Sequence, residues 1–399
     1  MSAETNRRRF LLTTSAAVGA ALLPIHHGAA GAAAGASAPA GTGADPTLTP
    51  VYLGGFSWTH PPGGDLEIAG YDQGTGELAR SSTVGGVPDP SFLAFSPSGR
   101  FLYATNELVP EGRVTALSLA NPHRPTVLNS EPTHGAGPTH LSVTSDGRFL
   151  LTANYTDGSV VVHPLGADGR LRPATHLVRH PGGTRDPHAH QILPDPSGRW
   201  VLAVDLGADA VFVYTLDARA GRLRAHQRCD LPPGTGPRHL AFHPDGRRAY
   251  LLGELDSTVT VLGWDATTGR ITPGGTTSTR HPTASGDNFP AEIAVSEDGR
   301  FVYASNRGDD DIAVFATSTH DTPGRHAPSH ESLALLGNTP TGGAWPRHFA
   351  LDPGERALYV ANQDSGTVTR LTRDARTGLL THGTPALAVP GVCFLAFHP

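Results

Sequence analysis

Gly236-Pro237-Arg238-His239-Leu240-Ala241-Phe242-His243-Pro244-Asp245-Gly246-Arg247 is nearly rewritten at Gly137-Pro138-Thr139-His140-Leu141-Ser142-Val143-Thr144-Ser145-Asp146-Gly147-Arg148. Related stretches begin at Asp89, Asp186, Phe289 and Trp345. Their turn glycine returns at Gly99, Gly147, Gly198, Gly246 and Gly299, with Glu355 in the sixth copy, at spacings of 48 to 56 residues. That period suits one four-stranded propeller blade per copy. Within a copy, Leu240 and Phe242 alternate as a first strand, Asp245-Gly246 reverses the chain, and Ala249-Tyr250-Leu251-Leu252 makes a second strand. The second strand ends seven residues past the glycine on Asn106, Asn154, Asp205, Asn306 or Asn362. A third strand, such as Thr258 to Leu262, leads to an Asp-xxx-Gly turn at Asp265 that recurs at Asp72, Asp217 and Asp374. A fourth, less patterned strand completes the unit, and no stretch sustains a helical period.

The two ends of the chain supply a seventh blade. Phe394 to Pro399 reads as a first strand with no second, whereas Val51-Tyr52-Leu53 and Glu67 to Tyr71 read as second and third strands with no first. Joining one C-terminal strand to three N-terminal strands closes the ring and removes its open edges. The expected fold is therefore all-β, a seven-bladed β-propeller over residues 45–399.

Composition narrows the function. The chain has 399 residues, 38% of them hydrophobic, and a net charge of -6, which offers no basic field for nucleic acid. All 30 basic residues are arginine, so Schiff-base chemistry, a Walker A lysine and a lysine general base are excluded. Residues 1–44 read as a targeting segment. Arg7-Arg8-Arg9-Phe10-Leu11 carries a twin-arginine signature, and an apolar run follows from Leu11 to Leu23. That run is too short for an ordinary membrane span. An Ala/Gly-rich stretch then suits cleavage, which would leave a mature net charge of about -8. The expectation is an exported, monomeric protein with no nucleic-acid or membrane partner. Cys229 and Cys393 fall in different blades and read as small core residues, not a disulfide.

In an antiparallel blade, the start of the first strand and the end of the second lie at the same end of the sheet. Residues there gather on one face around the axis. The first-strand starts are Ser91, Thr139, His190, Arg238, Ala291, Arg347 and Cys393, and one position on come His140, Gln191, His239, Glu292 and His348. One residue past the second-strand ends, eight past the turn position, come Glu107, Tyr155, Glu254, Arg307 and Gln363. This concentration of histidine, arginine and carboxylate marks that face as the candidate site. No G-x-S-x-G, H-E-x-x-H, zinc-spaced cysteine pair or EF-hand loop occurs. His188 and His190, two apart on a strand, share a side but have no carboxylate set beside them, so neither a metal nor a cofactor is expected.

The repeat register, Asp186-Pro187-His188-Ala189-His190, Pro237-Arg238-His239, the strand end at Glu254 and Ser305-Asn306-Arg307-Gly308 resemble the propeller-type lactonases. That family includes bacterial 6-phosphogluconolactonases and fungal carboxymuconate cyclases, and the likeness covers residues 50 to 399. The resemblance implies a small-molecule lactone substrate and a catalytic set of His190, Arg238, Glu254 and Arg307. His188, His140, His239, Arg347, His348 and Asn306 are the expected substrate-binding residues. Two arginines would hold an anionic group and the oxyanion, His190 would serve as general base, and Glu254 would orient the imidazole or shuttle a proton. Cycloisomerisation at the same residues, or a propeller that only binds a ligand there, are the alternative readings. A cytosolic sugar phosphate fits an exported chain poorly, so an unphosphorylated aldonolactone or a muconolactone stands beside 6-phosphogluconolactone.

Overall fold

The computed structural model describes residues 47–60, 62–183, 185–317 and 333–399, so the expected export segment lies outside the described residues. The described chain forms seven antiparallel sheets of four strands each. Six are consecutive meanders, for example 237–242, 248–253, 258–265 and 270–278. The seventh sheet has the order 392–397, 49–55, 66–71, 78–84, which is the one-plus-three closure expected of the termini. Val51 pairs with Phe397, Tyr52 with Ala396 and Leu53 with Leu395, so residues 392–397 are the innermost strand of the blade that residues 49–84 build.

Burial follows strand rank within each blade. The second strand Phe149–Asn154 is buried throughout, while the fourth strand Arg270–Ser278 alternates mostly exposed residues with Ile271. Because side chains on the two faces of a strand point to the two neighbouring blades, the core is a circle of interblade layers. Leu202, Val204, Val211 and Val213 of one blade meet Leu240, Leu251, Leu262 and Trp264 of the next. The closure blade is sealed the same way, with Val51, Leu53, Val392 and Leu395 against Tyr359, Ala361 and Val368. Cys229 and Cys393 are buried, unbridged and in different blades, as expected.

The turn glycines do what the sequence requires of them. Gly246 takes φ 66°, a left-handed conformation that glycine adopts without a Cβ penalty. Glu355 in the sixth copy adopts φ 49° in the same turn, so the hairpin geometry persists even where glycine is lost. Among the described residues no helix is long and apolar enough to cross a membrane.

Deleting residues 390–399 removes a whole inner strand and exposes an unpaired edge along Val51–Gly55. The truncated chain is expected to lose its cooperative thermal transition by circular dichroism. A transition at the wild-type temperature would refute closure by the C-terminal strand.

Candidate active site

A regular strand would send successive side chains to opposite faces, yet this site draws on two successive residues of each first strand. The structure reconciles the two with a β-bulge at the start of that strand. Pairing passes from Pro138 to His140, from Ala189 to Gln191 and from Pro346 to His348 while the partner strand advances by one residue. Thr139, His190 and Arg347 are thus the extra residues, and Cys393 is the extra residue in the closure blade. In two further blades, Arg238-His239 and Ala291-Glu292 each oppose a single residue. Such bulges re-aim side chains, and here they turn the first residue inward and free the next to reach sideways.

The inward residues converge. Ser91, Thr139, Arg238, Arg347 and Cys393, from five blades, line one small axial cavity together with Phe92, His239, Glu292 and His348. Arg238 Nε and Arg307 Nη2 each lie 3.1 Å from Glu254 Oε2, so one carboxylate is held between two guanidinium groups from adjacent blades. All three side chains are at most 3% exposed. Arg238 also donates to Ala291 O, and Arg307 Nε donates to Phe289 O at 2.9 Å. Burial, and then the like charges of Arg307 and Arg347, oppose the charge on Arg238; Glu254 and Glu292 offset them. The carboxylate that the sequence offers as an orienter of histidine is therefore first of all the counter-ion of two arginines.

His190 is buried one blade away, its ring 5.1 Å from that of His239 and 5.6 Å from that of Tyr155. Tyr155 in turn stacks on His188 at 4.6 Å, and His188 Nδ1 lies 2.9 Å from Tyr155 O. His188 is half-buried, so it stands at the rim while His190 stands within. Arg347 Nη2 approaches Glu107 Oε2 at 3.7 Å and its guanidinium lies over the Phe56 ring at 5.0 Å.

The second-tier residues do something the sequence did not disclose: they knit the blades together. Leu240 N–H donates to Gln191 Oε1 at 2.8 Å and Gln191 Nε2 donates to Leu240 O at 3.2 Å. Ile192 N–H donates to His140 Nδ1 at 3.4 Å, and Leu395 N–H reaches His348 Nδ1 at 3.5 Å. Glu292 lies 3.1 Å from His239 Nδ1 and 3.4 Å from His348 Nε2, and accepts from Ile293 N–H at 2.9 Å. With Phe92 and Phe394, whose rings sit 4.1 Å from His140 and 4.0 Å from His348, these side chains plug the channel beneath the arginines. Asn306 belongs to neither tier. Fully buried, its amide donates to Thr279 O at 3.0 Å and Asp311 Oδ1 at 2.7 Å, fixing a loop and not facing the channel.

Burial dominates the electrostatics of the plug. It holds His140 and His239 well below the ordinary histidine range, with neighbouring cations adding to the effect, and brings His348 down to about 4. It raises the Glu292 carboxyl, against the pull of His348 and Arg238. Among the described residues, no three His, Cys, Asp or Glu side chains gather as a metal ion would need.

The family model described as lactonase, 7-bladed beta-propeller, matches residues 50–397. A 6-phosphogluconolactonase of Bacillus subtilis is 33% identical over 353 residues, covering 86% of this chain and 98% of its own. One from Pectobacterium carotovorum is 33% identical over 309 residues, covering 77% and 86%. Among solved structures, the periplasmic gluconolactonase of Pseudomonas aeruginosa superposes with a TM-score of 0.80 at 31% identity, covering 88% of this chain and 99% of its own.

The buried histidines make a pH prediction. A folded pKa depressed below the unfolded value near 6.5 means that unfolding takes up protons between the two values. Stability therefore falls as pH drops below about 6.5 for His140, His239 and His348, and for His163, likewise lowered to about 4. Glu292, raised, opposes them by holding a proton that the unfolded chain has released. The urea midpoint should decline from pH 7 to pH 5 with a slope of roughly two to four protons. A midpoint independent of pH over that window would contradict the burial of these groups as neutral imidazoles.

Proposed function

Because the chain belongs to the seven-bladed β-propeller lactonase family, we propose that it hydrolyses a sugar-derived lactone at His190, Arg238, Glu254 and Arg307. The observation that carries this reading is the pair of buried guanidinium groups sharing one carboxylate, with a buried histidine one blade away. Two cations and one anion leave a single net positive charge in a poorly hydrated cleft. That is the complement of one developing oxyanion.

The chemistry needs no covalent intermediate. Water attacks the lactone carbonyl carbon as His190 takes its proton, and the charge that gathers on the carbonyl oxygen is met by guanidinium N–H donors. Collapse of the tetrahedral intermediate breaks the ring carbon–oxygen bond, and His190 returns the proton to the departing alkoxide. The product is a hydroxy acid whose carboxylate faces the same arginines. Glu254 acts by holding both guanidinium groups in register, and a change of one ångström there would misplace the donors.

Export sharpens the substrate. The Arg7-Arg8-Arg9 run and the periplasmic setting named for the Pseudomonas relative support an enzyme of the cell envelope. There an unphosphorylated aldonolactone, with its hydroxyl groups free, is the substrate class we assign; 6-phosphogluconolactone is the comparison compound. His188 at the rim and Arg347 beside Glu107 are the residues we assign to substrate contact.

His190→Ala and Arg238→Ala are each expected to lower kcat/KM for glucono-1,5-lactone by about two to four orders of magnitude, measured by proton release. EDTA should leave the wild-type rate unchanged. Full activity in both variants would sink the assignment of these residues. No turnover by the wild type over a panel of lactones would instead point to a binding module.

A further inference from the structure

One bulky residue occupies a left-handed backbone slot that four other blades fill with glycine or aspartate. In five blades the carbonyl two positions before the inward residue accepts from the N–H just past the second strand and belongs to a left-handed residue, whereas His188 makes the same bond with Leu206 N–H at 2.9 Å without that conformation. Glu107 bonds Asp89, Tyr155 bonds Gly137, Glu254 bonds Gly236, Gln363 bonds Trp345 and Phe56 bonds Gly391, all at 2.8 to 3.0 Å. All five acceptors are left-handed, with φ of 45°, 62°, 57°, 62° and 64°. Three are glycine and one is aspartate, residue types that tolerate this conformation. Trp345 is the exception, and an aromatic residue there is strained. Its N–H is held by Asp310 Oδ1 at 2.8 Å, so the loop keeps its shape despite the strain.

What the strain secures is the position of the indole. The Arg307 guanidinium lies 5.4 Å from the ring centroid, and Phe289 flanks the ring at 6.0 Å. Arg307 and Glu254 below it are at most 3% exposed, whereas Trp345 is half-buried. Trp345, Arg307, Glu254 and Arg238 thus form a column that runs from solvent into the site, with the indole outermost.

We propose that Trp345 is a specificity-determining residue, whose indole takes the C–H face of a cyclic aldonolactone and sets its ring against the arginines. This rests on the lactonase reading above. Sugar rings present alternating apolar C–H and polar hydroxyl surfaces, and an aromatic platform beside cations matches both. The same platform screens Arg307 from water and strengthens its interaction with the anionic oxygen. An elongated or branched aliphatic lactone gains less from the platform, so discrimination between ring types originates here.

Two measurements test this. In Trp345→Gly the slot receives the residue found in three other blades, so the fold is expected to survive with an unchanged circular dichroism spectrum. KM for glucono-1,5-lactone should rise about ten-fold with a smaller change in kcat, and Trp345→Phe should stay within about three-fold of wild type. Calorimetric binding of the hydrolytically stable glucono-1,5-lactam to the His190→Ala protein should weaken about ten-fold when Trp345→Gly is added. Unchanged KM and unchanged lactam affinity in Trp345→Gly overturn the proposal, as does a loss confined to kcat, which would mean that the indole only positions Arg307. Lactam binding that depends on Trp345, with no lactone turnover by the wild type, would overturn the hydrolytic reading and keep the platform.

Discussion

A propeller blade cannot bury both of its faces alone, so every blade depends on two neighbours, and the circle of such dependencies has to be closed somewhere. Here the closing contact is the pairing of 392–397 with 49–55. It converts a row of interblade layers, which would end in two exposed hydrophobic faces, into a ring without ends. The inner strands carry a further constraint. Because they converge at the axis, their first side chains have no sheet to lie on and must either fill the channel or line a site. Gln191 with Leu240, His140 with Ile192 and His348 with Leu395 fill it by hydrogen-bonding from one inner strand to the next.

That division of labour explains the electrostatic layout. Histidines in the plug are buried beside cations and stay neutral, which makes them hydrogen-bonding fillers at neutral pH. The two arginines above them share a counter-ion, since Glu254 Oε2 lies 3.1 Å from both guanidinium groups. Taking one carboxylate from the end of one blade's second strand and giving it to arginines of that blade and the next ties the charge pattern to blade geometry. A small shift of one blade would be felt by all three groups.

The fold was legible because its signals are local and repeated. An Asp-Gly turn, an alternating strand and a polar strand end say the same thing in every copy, and the two incomplete ends admit one joining. The angular position of each site residue was legible for the same reason, since register within the repeat places it on the axis. What was not legible depends on the approach of strands remote in sequence. Position in the repeat does not show that Glu292 sits between His239 and His348, that Glu254 faces two guanidinium groups, or that Asn306 turns away into a loop. Nor does it reveal the bulge. Two successive polar residues at the strand start fall on one face in the sequence, and the extra backbone residue separates them into an inward tier and a lateral tier.

The bulge also bears on how such a ring acquires chemistry. The inward slot holds Ser91, Thr139, His190, Arg238, Ala291, Arg347 and Cys393, from a small alanine to a large guanidinium. The extra residue stands outside regular pairing, so its side chain is chosen by the channel and not by the ladder. The carbonyl two positions earlier binds the N–H just past the second strand in six blades, whether it belongs to glycine, aspartate, histidine or tryptophan. Backbone bonds therefore carry much of the shape, which leaves the side chains at these two slots free to differ from blade to blade. A repeat with identical backbone and unlike axial residues can change its substrate without changing its fold, and the strained Trp345 is the place where that freedom runs against the backbone's own preference.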